Sequence, residues 1–329
     1  MPQTGDPTHQ PLRWGVIGTG GIATDFAADL ALTDSGRITA VGSRHIDTAN
    51  RFAERFGIPN RHGDYAALVA DPEVDVVYVA TPAPRHLEDS RLALDAGKPV
   101  LVEKPFTIDA AQARELVGAA RAAGLFLMEA MWTRFLPHVV AIRELLAQGA
   151  LGGIVALTAD HGQFFEDHGH RLFAPELGGG ALLDLGVYPV SFASMVLGTP
   201  ERVMSIVTPA FSGVDGQTSM LFGYSSGAHA LLTSTLFAKS PTRAAIVGTD
   251  ARIEIDGDFY RPSSFTLIPR EGEPRRFEVP HTGGGLRHQT DEVARCLRAG
   301  LLESPVMPLE ESVSIMSTMD EVRAGAAAS

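Results

Sequence analysis

The segment that decides the fold is Trp14-Gly15-Val16-Ile17-Gly18-Thr19-Gly20-Gly21-Ile22-Ala23. Residues 13–17 form a predicted buried strand, and residues 22–32 have the spacing of an amphipathic helix. The glycines between them fit G-x-G-x-x-G/A, in which Gly18 permits a tight turn and Gly20 lets the backbone approach a pyrophosphate at the helix N-terminus. The alternative is a glycine-rich turn with a structural role alone. Because the pattern follows a strand and opens a helix, it predicts a dinucleotide site whose cofactor-binding residues are Gly18, Thr19, Gly20, Gly21 and Ile22.

The first third of the chain continues as alternating strands and helices. Apolar runs without period-two alternation, such as residues 74–80 and 99–102, predict strands buried on both faces and therefore a parallel sheet. After a predicted helix over residues 137–148, the chain reads as strands separated by turns with few helices, which is typical of an antiparallel sheet. We predict an α/β protein with an N-terminal Rossmann dinucleotide-binding domain over residues 12–130. A C-terminal α+β domain with an open, mainly antiparallel sheet follows over residues 131–329, for substrate binding and oligomerisation.

A lysine stands at the end of one of these predicted strands, in Val100-Leu101-Val102-Glu103-Lys104-Pro105. Open α/β sheets bind ligands at the carboxyl ends of their strands, so Lys104 is predicted to place an amine beside the cofactor. The alternative is a surface lysine whose stem lies along the protein. Thr81 and Pro82 follow the preceding strand and should line the same cofactor cleft. His86 either orients a helix start or touches the ligand.

The residues after the second strand, Ser43-Arg44-His45, bear on the choice of nucleotide. An NAD site would carry an acid there, whereas a hydroxyl and a guanidinium suit a phosphate, because arginine forms bidentate, charge-assisted hydrogen bonds. NADP is therefore the predicted cofactor, with Ser43, Arg44 and His45 near its phosphate. The alternative is a solvated arginine and dual use of NAD and NADP.

In the second half, Asp184-Leu185-Gly186-Val187-Tyr188-Pro189 follows three glycines. A helix starting at Leu185 or Gly186 would make Asp184 its N-cap, a role compatible with substrate binding. Helical i, i+4 spacing would put Asp184 and Tyr188 on one face. Tyr188 is then either a core tyrosine or, beside Lys104, a group that exchanges a proton with a substrate hydroxyl.

Three histidines in one stretch, with two aspartates, superficially resemble metal ligands: His161, His168, His170, Asp160 and Asp167. Their spacing is permissive only, so a polar pocket rim or loop is the preferred interpretation, and we expect no metal.

The length, net charge and cysteine count of the chain limit its possible functions further. A chain of 329 residues is long enough for two domains, and a net charge of −12 argues against general affinity for nucleic acid or anionic membranes. The single cysteine, Cys296, excludes an intrachain disulfide and is expected in the core. No signal peptide is recognised, and no apolar run is judged to approach the ~20 residues of a membrane span. We expect a soluble, cytoplasmic protein.

Taken together, these motifs resemble the glucose-fructose oxidoreductase/inositol dehydrogenase (Gfo/Idh/MocA) family over about residues 12 to 324. The similarity is closest to its dimeric dihydrodiol dehydrogenase and NADP-dependent D-xylose dehydrogenase branch. Three segments carry it: Glu103-Lys104-Pro105, Glu129-Ala130-Met131-Trp132-Thr133-Arg134-Phe135, and Gly178 to Pro189. The chain departs from that branch at His161, where an aromatic residue is usual, and in the His-rich loop up to Arg171.

The resemblance implies that Lys104 and Tyr188 act on the substrate hydroxyl, with Asp184 nearby in the pocket. It also implies that Glu103, Trp132 and Arg134 belong to the cofactor-binding set, and that Trp132, Arg134 and Phe135 shape the cleft between the domains. The expected activity is hydride transfer between NADP and a secondary or hemiacetal alcohol of a sugar or cyclic diol. The alternatives are a carbonyl reductase running in the opposite direction and a non-catalytic NADP-binding sensor. A homodimer or larger homo-oligomer is expected, because the uncovered face of the second sheet must be buried.

Overall fold

The computed structural model describes residues 10–166 and 169–327. They form two compact units. The first contains residues 10–107, Ala111–Trp132 and Thr282–Ser312, and the second contains Ile108–Ala110, most of Thr133–His281 and residues 313–327. The division predicted from sequence gives all of residues 131–329 to the second domain, whereas Thr282–Ser312 lie with the first unit.

The first unit is built on a parallel six-stranded sheet with the strand order β3-β2-β1-β4-β5-β6. Its strands are β1 (Leu12–Ile17), β2 (Gly36–Gly42), β3 (Asn60–His62), β4 (Val76–Val79), β5 (Val100–Glu103) and β6 (Leu127–Ala130). The order reverses at β1, which pairs with β2 on one side and β4 on the other. In open α/β sheets such a reversal marks the ligand crevice at the carboxyl ends of the strands.

The helices of the first unit follow its strands in alternation. They are α1 (Gly21–Leu30), α2 (Ile46–Phe56), α3 (Tyr65–Val69), α4 (His86–Asp95) and α5 (Ala110–Ala123). The later helix α8 (Arg287–Arg298) packs against α1, and the carboxylate of Asp29 accepts the N–H groups of Gly284 and Leu286 at 2.7 and 2.6 Å. These two hydrogen bonds, made just before α8, hold residues Thr282–Ser312 against the first unit.

The second unit is built on an eight-stranded sheet with the order β14-β13-β12-β11-β7-β10-β9-β8. Only β7 and β10 pair in parallel; the other neighbours are antiparallel. The strands are β7 (Ile154–Gly162), β8 (Arg202–Pro209), β9 (Asp215–Gly223), β10 (His229–Thr235), β11 (Ala244–Gly248), β12 (Ala251–Ile255), β13 (Phe265–Pro269) and β14 (Arg275–Phe277). The predicted fold class is confirmed; the three-residue strands β3 and β14 were not predicted.

Three further helices are α6 (Pro137–Ala147), α7 (Val187–Leu197) and α9 (Leu309–Ala327). Helix α7 packs on β7 and β10, and a π-helical segment, Leu182–Gly186, runs directly into it. The stretch Pro175–Leu197, which contains both, is long and apolar enough by composition to cross a membrane, with a mean hydropathy of 1.5. The sequence reading missed it, but 72% of its apolar window is buried inside the structure, which is the packing of a core helix.

Candidate active site

The glycine turn between β1 and α1 has the geometry of a phosphate cradle. Gly18 has a φ of 102°, and a Cβ atom there would approach the Ala80 carbonyl oxygen to 2.8 Å, so only glycine fits. A Cβ atom on Gly20 or Gly21 would meet nothing within 4 Å. Helix α1 begins at Gly21, with Gly20 as its N-cap and no acid in its first turn. Gly20 and Gly21 are exposed at this helix N-terminus, and the open space in front of them suits an anionic pyrophosphate.

The end of β2 presents the residues predicted to select the nucleotide. Ser43 is buried, and its N–H donates to the His62 carbonyl at 3.1 Å, whereas Arg44 and His45 are exposed. His45 is the N-cap of α2, without a side-chain capping bond.

Tyr65, which sequence reasoning missed, lies in electrostatic range of Arg44. Burial, and then the charge of Asp89, raise the pKa of the Tyr65 phenol, while Arg44 and Arg85 act in the opposite direction. The Arg85 guanidinium is itself paired with Glu88 and Asp89. No sequence motif marks Tyr65, because the fold alone brings it near Arg44.

The loop after β4 is held by side chains of the helix that follows it, α4. The Thr81 hydroxyl donates to Asp89 at 2.8 Å, and Pro82 is exposed at the start of a short 3₁₀ turn. His86 is buried, and its Nε2 and Nδ1 each lie 2.8 Å from a carbonyl oxygen, of Thr81 and Pro105 respectively. Burial lowers the pKa of His86, while both carbonyls oppose that effect. Of the two predicted roles, orienting the helix start is the one these contacts favour.

The backbone around Lys104 is fixed by three buried side chains from three different elements. The Glu103 carboxylate accepts the Lys104 N–H at 3.1 Å, the His86 ring bonds the Pro105 carbonyl, and Glu129 of β6 accepts the Phe106 N–H at 3.1 Å. Glu103 also accepts the hydroxyl of Tyr78, which is fully buried. Consecutive backbone groups at the end of β5 are therefore preorganised, and Lys104 itself is half-buried.

The predicted cofactor residues Trp132 and Arg134 lie in a 3₁₀ turn, Trp132–Phe135. Trp132 is 6% exposed. The Arg134 guanidinium is buried and bonds Ser191 of α7 twice, through Nε to Oγ at 3.1 Å and through Nη2 to the carbonyl at 2.7 Å. These bonds brace α7 within the second unit; a role of either residue in binding the cofactor stays a prediction.

In the second unit, Asp184 and Tyr188 lie on consecutive parts of one helical segment. Asp184 falls inside the π-helical turn and accepts Arg171 Nη2 at 2.9 Å, and Tyr188 is 6% exposed in the first turn of α7. The prediction that Asp184 caps a helix starting at Leu185 or Gly186 was wrong, because helical backbone already begins at Ala181. The partner of Asp184, Arg171, was also missed, since an ion pair thirteen residues apart leaves no sequence pattern.

Tyr188 lies in a cluster of aromatic rings with His161 and Tyr260. The ring centroids of Tyr188 and Tyr260 are 4.6 Å apart, and His161 stacks on Tyr260 at 4.3 Å. His161 was expected at a pocket rim or in a loop; it is instead fully buried near the end of β7, since its side chain points to the covered face of the sheet. His170 caps a 3₁₀ turn by accepting the Leu172 N–H.

The other members of the histidine group give no metal centre in the part of the chain that the structure describes. His168 and Asp167 lie outside the described residues. Within residues 10–166 and 169–327, no group of three His, Cys, Asp or Glu side chains is placed to hold a metal ion.

A glycine turn at a helix N-terminus and a fixed lysine loop at the carboxyl edge of a parallel sheet are the arrangement of a dinucleotide-dependent oxidoreductase. Residues 12–131 match the family model described as an oxidoreductase family with an NAD-binding Rossmann fold, and residues 139–254 match the GFO/IDH/MocA C-terminal domain. The chain belongs to the Gfo/Idh/MocA family.

Similar proteins include trans-1,2-dihydrobenzene-1,2-diol dehydrogenases. The Xenopus tropicalis protein is 38% identical over 94% of this chain and 96% of its own, and the Homo sapiens protein is 36% identical over 95% and 96%. Among solved structures, a 3-ketoreductase from Actinomadura kijaniata in complex with NADP and TDP-benzene is 30% identical, with a TM-score of 0.85 over 96% of this chain and 98% of that one. An aldose-aldose oxidoreductase from Caulobacter crescentus is 25% identical, with a TM-score of 0.89 over 97% and 98%.

Proposed function

We propose that this protein transfers a hydride between NADP and a secondary or hemiacetal alcohol of a sugar or cyclic diol. The observation that carries the proposal is the loop at the end of β5, where Glu103, His86 and Glu129 fix the backbone on both sides of Lys104. A binding module needs a nucleotide cradle but has no use for a lysine held in this way at the carboxyl edge of the sheet.

The residues of the first unit fit NADP. The turn Gly18–Gly21 offers N–H donors and open space to the pyrophosphate, and Arg44 is exposed where a 2′-phosphate would be recognised. When bound, the nicotinamide accepts or donates the hydride; the protein supplies binding, orientation and the proton transfer.

The proton is handled by Lys104 and Tyr188 in this proposal. A phenol has an ordinary pKa of about 10, too high for an efficient base near neutrality, and a nearby ammonium favours its ionised form. The Lys104 ammonium and the Tyr188 hydroxyl would therefore act as one unit on the substrate hydroxyl. Asp184, held by Arg171, would bind a further substrate hydroxyl, since an ionised carboxylate accepts hydrogen bonds.

The substrate class is supported by the relatives rather than by any contact of this chain. The curated relatives are named for a dihydrobenzene diol, one solved structure is named an aldose-aldose oxidoreductase, and the other is named a 3-ketoreductase. These names cover a cyclic diol, an aldose and a ketone. The direction of reaction is open, so ketones belong in the test.

The test is a panel of sugars and cyclic diols with NADP⁺, and of keto sugars and dicarbonyls with NADPH, followed by absorbance at the nicotinamide band. Lys104→Met and Tyr188→Phe should each lower kcat at least ~100-fold, while NADP still binds. The double variant should be little worse than the worse single variant, because members of one unit are not additive.

Matched controls separate this role from folding. Arg91→Met removes an exposed cation paired with Glu115, and Tyr224→Phe removes a buried phenol of the second structural unit; both should keep normal turnover. Near-wild-type turnover in Tyr188→Phe would reduce Tyr188 to a packing residue. NADP binding without turnover of any compound on the panel would favour the alternative, a non-catalytic NADP-binding sensor.

The assembly proposed with this function is a homodimer or larger. The outer face of the second sheet exposes Met204, Ile206 and Leu231, which are 59%, 73% and 51% accessible. An apolar sheet face of this kind is usually covered, and a second copy of the chain is the proposed cover.

A further inference from the structure

A fully buried histidine, His161, is the only side chain described as bonding the carbonyl of Leu185, just before α7. Its Nδ1 lies 3.2 Å from the Leu185 oxygen, and its Nε2 lies 3.0 Å from the Gln163 amide nitrogen. A carbonyl only accepts and an amide NH₂ only donates, so the ring is neutral, with its hydrogen on Nδ1 and its lone pair on Nε2. Both ring nitrogens are therefore satisfied in one tautomer.

The Leu185 carbonyl lies where the π-helical segment Leu182–Gly186 runs into α7. Pro189, four positions later, has no N–H to donate, and the backbone N–H of Val187 bonds this oxygen. His161 adds a side-chain donor to the same oxygen. It thereby fixes the backbone on the N-terminal side of Tyr188, and its ring lies 5.4 Å from the Tyr188 ring.

Tyr260 completes the surroundings of Tyr188. Its ring packs on both His161 and Tyr188, and its hydroxyl oxygen accepts Arg261 Nε at 3.1 Å and the Gln163 amide at 3.4 Å. Its backbone carbonyl also accepts the Thr133 hydroxyl at 2.8 Å. A continuous set of hydrogen bonds thus runs from Arg261 through Tyr260 and Gln163 to His161 and the Leu185 carbonyl.

We propose that His161, Tyr260 and Arg261 are positioning residues that hold the Tyr188 phenol in its reactive orientation and favour its ionised form. The inference rests on the proposed function of Tyr188 as a proton-handling group. His161 acts through the helix start, Tyr260 through ring contact, and Arg261 through the charge that it holds beside both tyrosines. Gln163 joins them by donating one amide hydrogen to each neighbour.

Other charged groups around α7 must be counted with Arg261. Arg134 bonds Ser191 on α7, Asp184 is paired with Arg171, and Asp258 is paired with Lys239 and acts on Arg261. Burial would lower the pKa of Arg261, but Tyr260, Asp258 and then Tyr188 outweigh it and raise that pKa. The same attraction, seen from Tyr188, favours the phenolate.

The first measurement is kcat for alcohol oxidation in His161→Phe and Tyr260→Phe. Each variant keeps an aromatic ring and loses hydrogen bonds, so kcat should fall about fivefold to tenfold, with NADP affinity unchanged. Tyr224→Phe is the matched control, and thermal unfolding reports whether each variant is folded. If Tyr188→Phe is inactive while both ring-preserving variants turn over normally, the inference is overturned and the proposed function stands.

The second measurement is the pH profile of kcat in the same direction. A base must lose its proton before it acts, so kcat rises with pH, and removing a nearby cation moves the midpoint upward. Arg261→Gln should raise the midpoint by roughly half a unit to one unit, whereas Arg261→Lys, which keeps the charge, should leave it in place. Arg252→Gln, an exposed arginine paired with Glu254, is the control. Equal midpoints for Gln and Lys at position 261 contradict the charge effect.

The third measurement repeats His161→Phe and Tyr260→Phe in a Tyr188→Phe background. Residues that act through Tyr188 have nothing left to position, so kcat should not fall further. The same fractional loss in both backgrounds would show that they act elsewhere and overturn the inference. Near-wild-type turnover of Tyr188→Phe alone would remove the proposed function, and this inference with it.

Discussion

The carboxylate of Asp215 makes a testable link between pH and the stability of the segment that carries Asp184 and Tyr188. Asp215 begins β9 and accepts the N–H of Leu182, the first residue of the π-helical turn, at 2.6 Å. Burial raises its pKa from 3.8 to about 6, although the hydrogen bonds from Leu182 and Thr218 act in the opposite direction. The folded protein therefore keeps a proton on Asp215 at pH values where the unfolded chain has lost it.

The direction in which stability changes with pH follows from proton binding. Between about pH 4 and 6 the unfolded state binds fewer protons at this residue than the folded state, so its contribution to stability falls as pH rises. It is fully present below the unfolded pKa and is lost as pH passes the folded value. For pKa values of 3.8 and about 6, the contribution changes by about 2 kcal/mol between about pH 4.5 and pH 7.

The perturbation is Asp215→Asn, which stays neutral at both pH values. The free energy of unfolding in urea, followed by circular dichroism, is measured for the wild type and the variant at both pH values. The wild type should gain about 2 kcal/mol relative to the variant on acidification. Comparing the wild type with the variant cancels the contributions of other groups to the pH dependence of stability. One such group is His138, whose pKa burial lowers to about 4 and whose contribution has the opposite sign. A relative change below about 0.5 kcal/mol, or a gain by the variant, would mean that the folded carboxylate is already ionised at the lower pH.

Three shorter predictions concern the other parts of the molecule. Arg44→Ala should weaken NADP by about tenfold to a hundredfold and leave NAD nearly unchanged in titrations; equal losses would make Arg44 a structural residue. Tyr78→Phe removes a buried bond to Glu103 and should cost about 1.5–3 kcal/mol of unfolding free energy; a urea midpoint equal to the wild type would contradict this. Light scattering should show at least a dimer, and Ile206→Glu should dissociate it; a wild-type monomer of about 35 kDa at micromolar concentration would refute the assembly.

The sequence predicts the first unit well because its signals are local. The glycine turn, the apolar runs of β4 and β5 and the helix α1 are each recognised from fewer than fifteen neighbouring residues. Strand β3 has only three residues, and its partners are set by β2, so it lacks such a signal. The attachment of α8 to the first unit likewise cannot be predicted from a local pattern, because Asp29 and Leu286 are 257 positions apart.

The candidate site divides along the same physical line. Lys104 and Tyr188 are predicted site residues because each lies in a recognisable local motif, whereas the groups bonded to the segments around them come from distant elements. His86 and Glu129 reach the loop of Lys104 across 19 and 23 positions, and Arg171 reaches Asp184 across 13. Sequence spacing carries information on such contacts only within one helix or strand.

Pro189 shows how one helix can be held by a side chain from another element. It has no N–H to offer the Leu185 carbonyl, and that oxygen is bonded by a backbone N–H within the helical segment and by the ring of His161. The second nitrogen of that ring accepts the Gln163 amide. The residue before Pro189 is Tyr188, so this side-chain hydrogen bond is made where the orientation of the phenol is decided. A histidine placed here for metal binding would need a free ring nitrogen, and both nitrogens are already bonded in this structure.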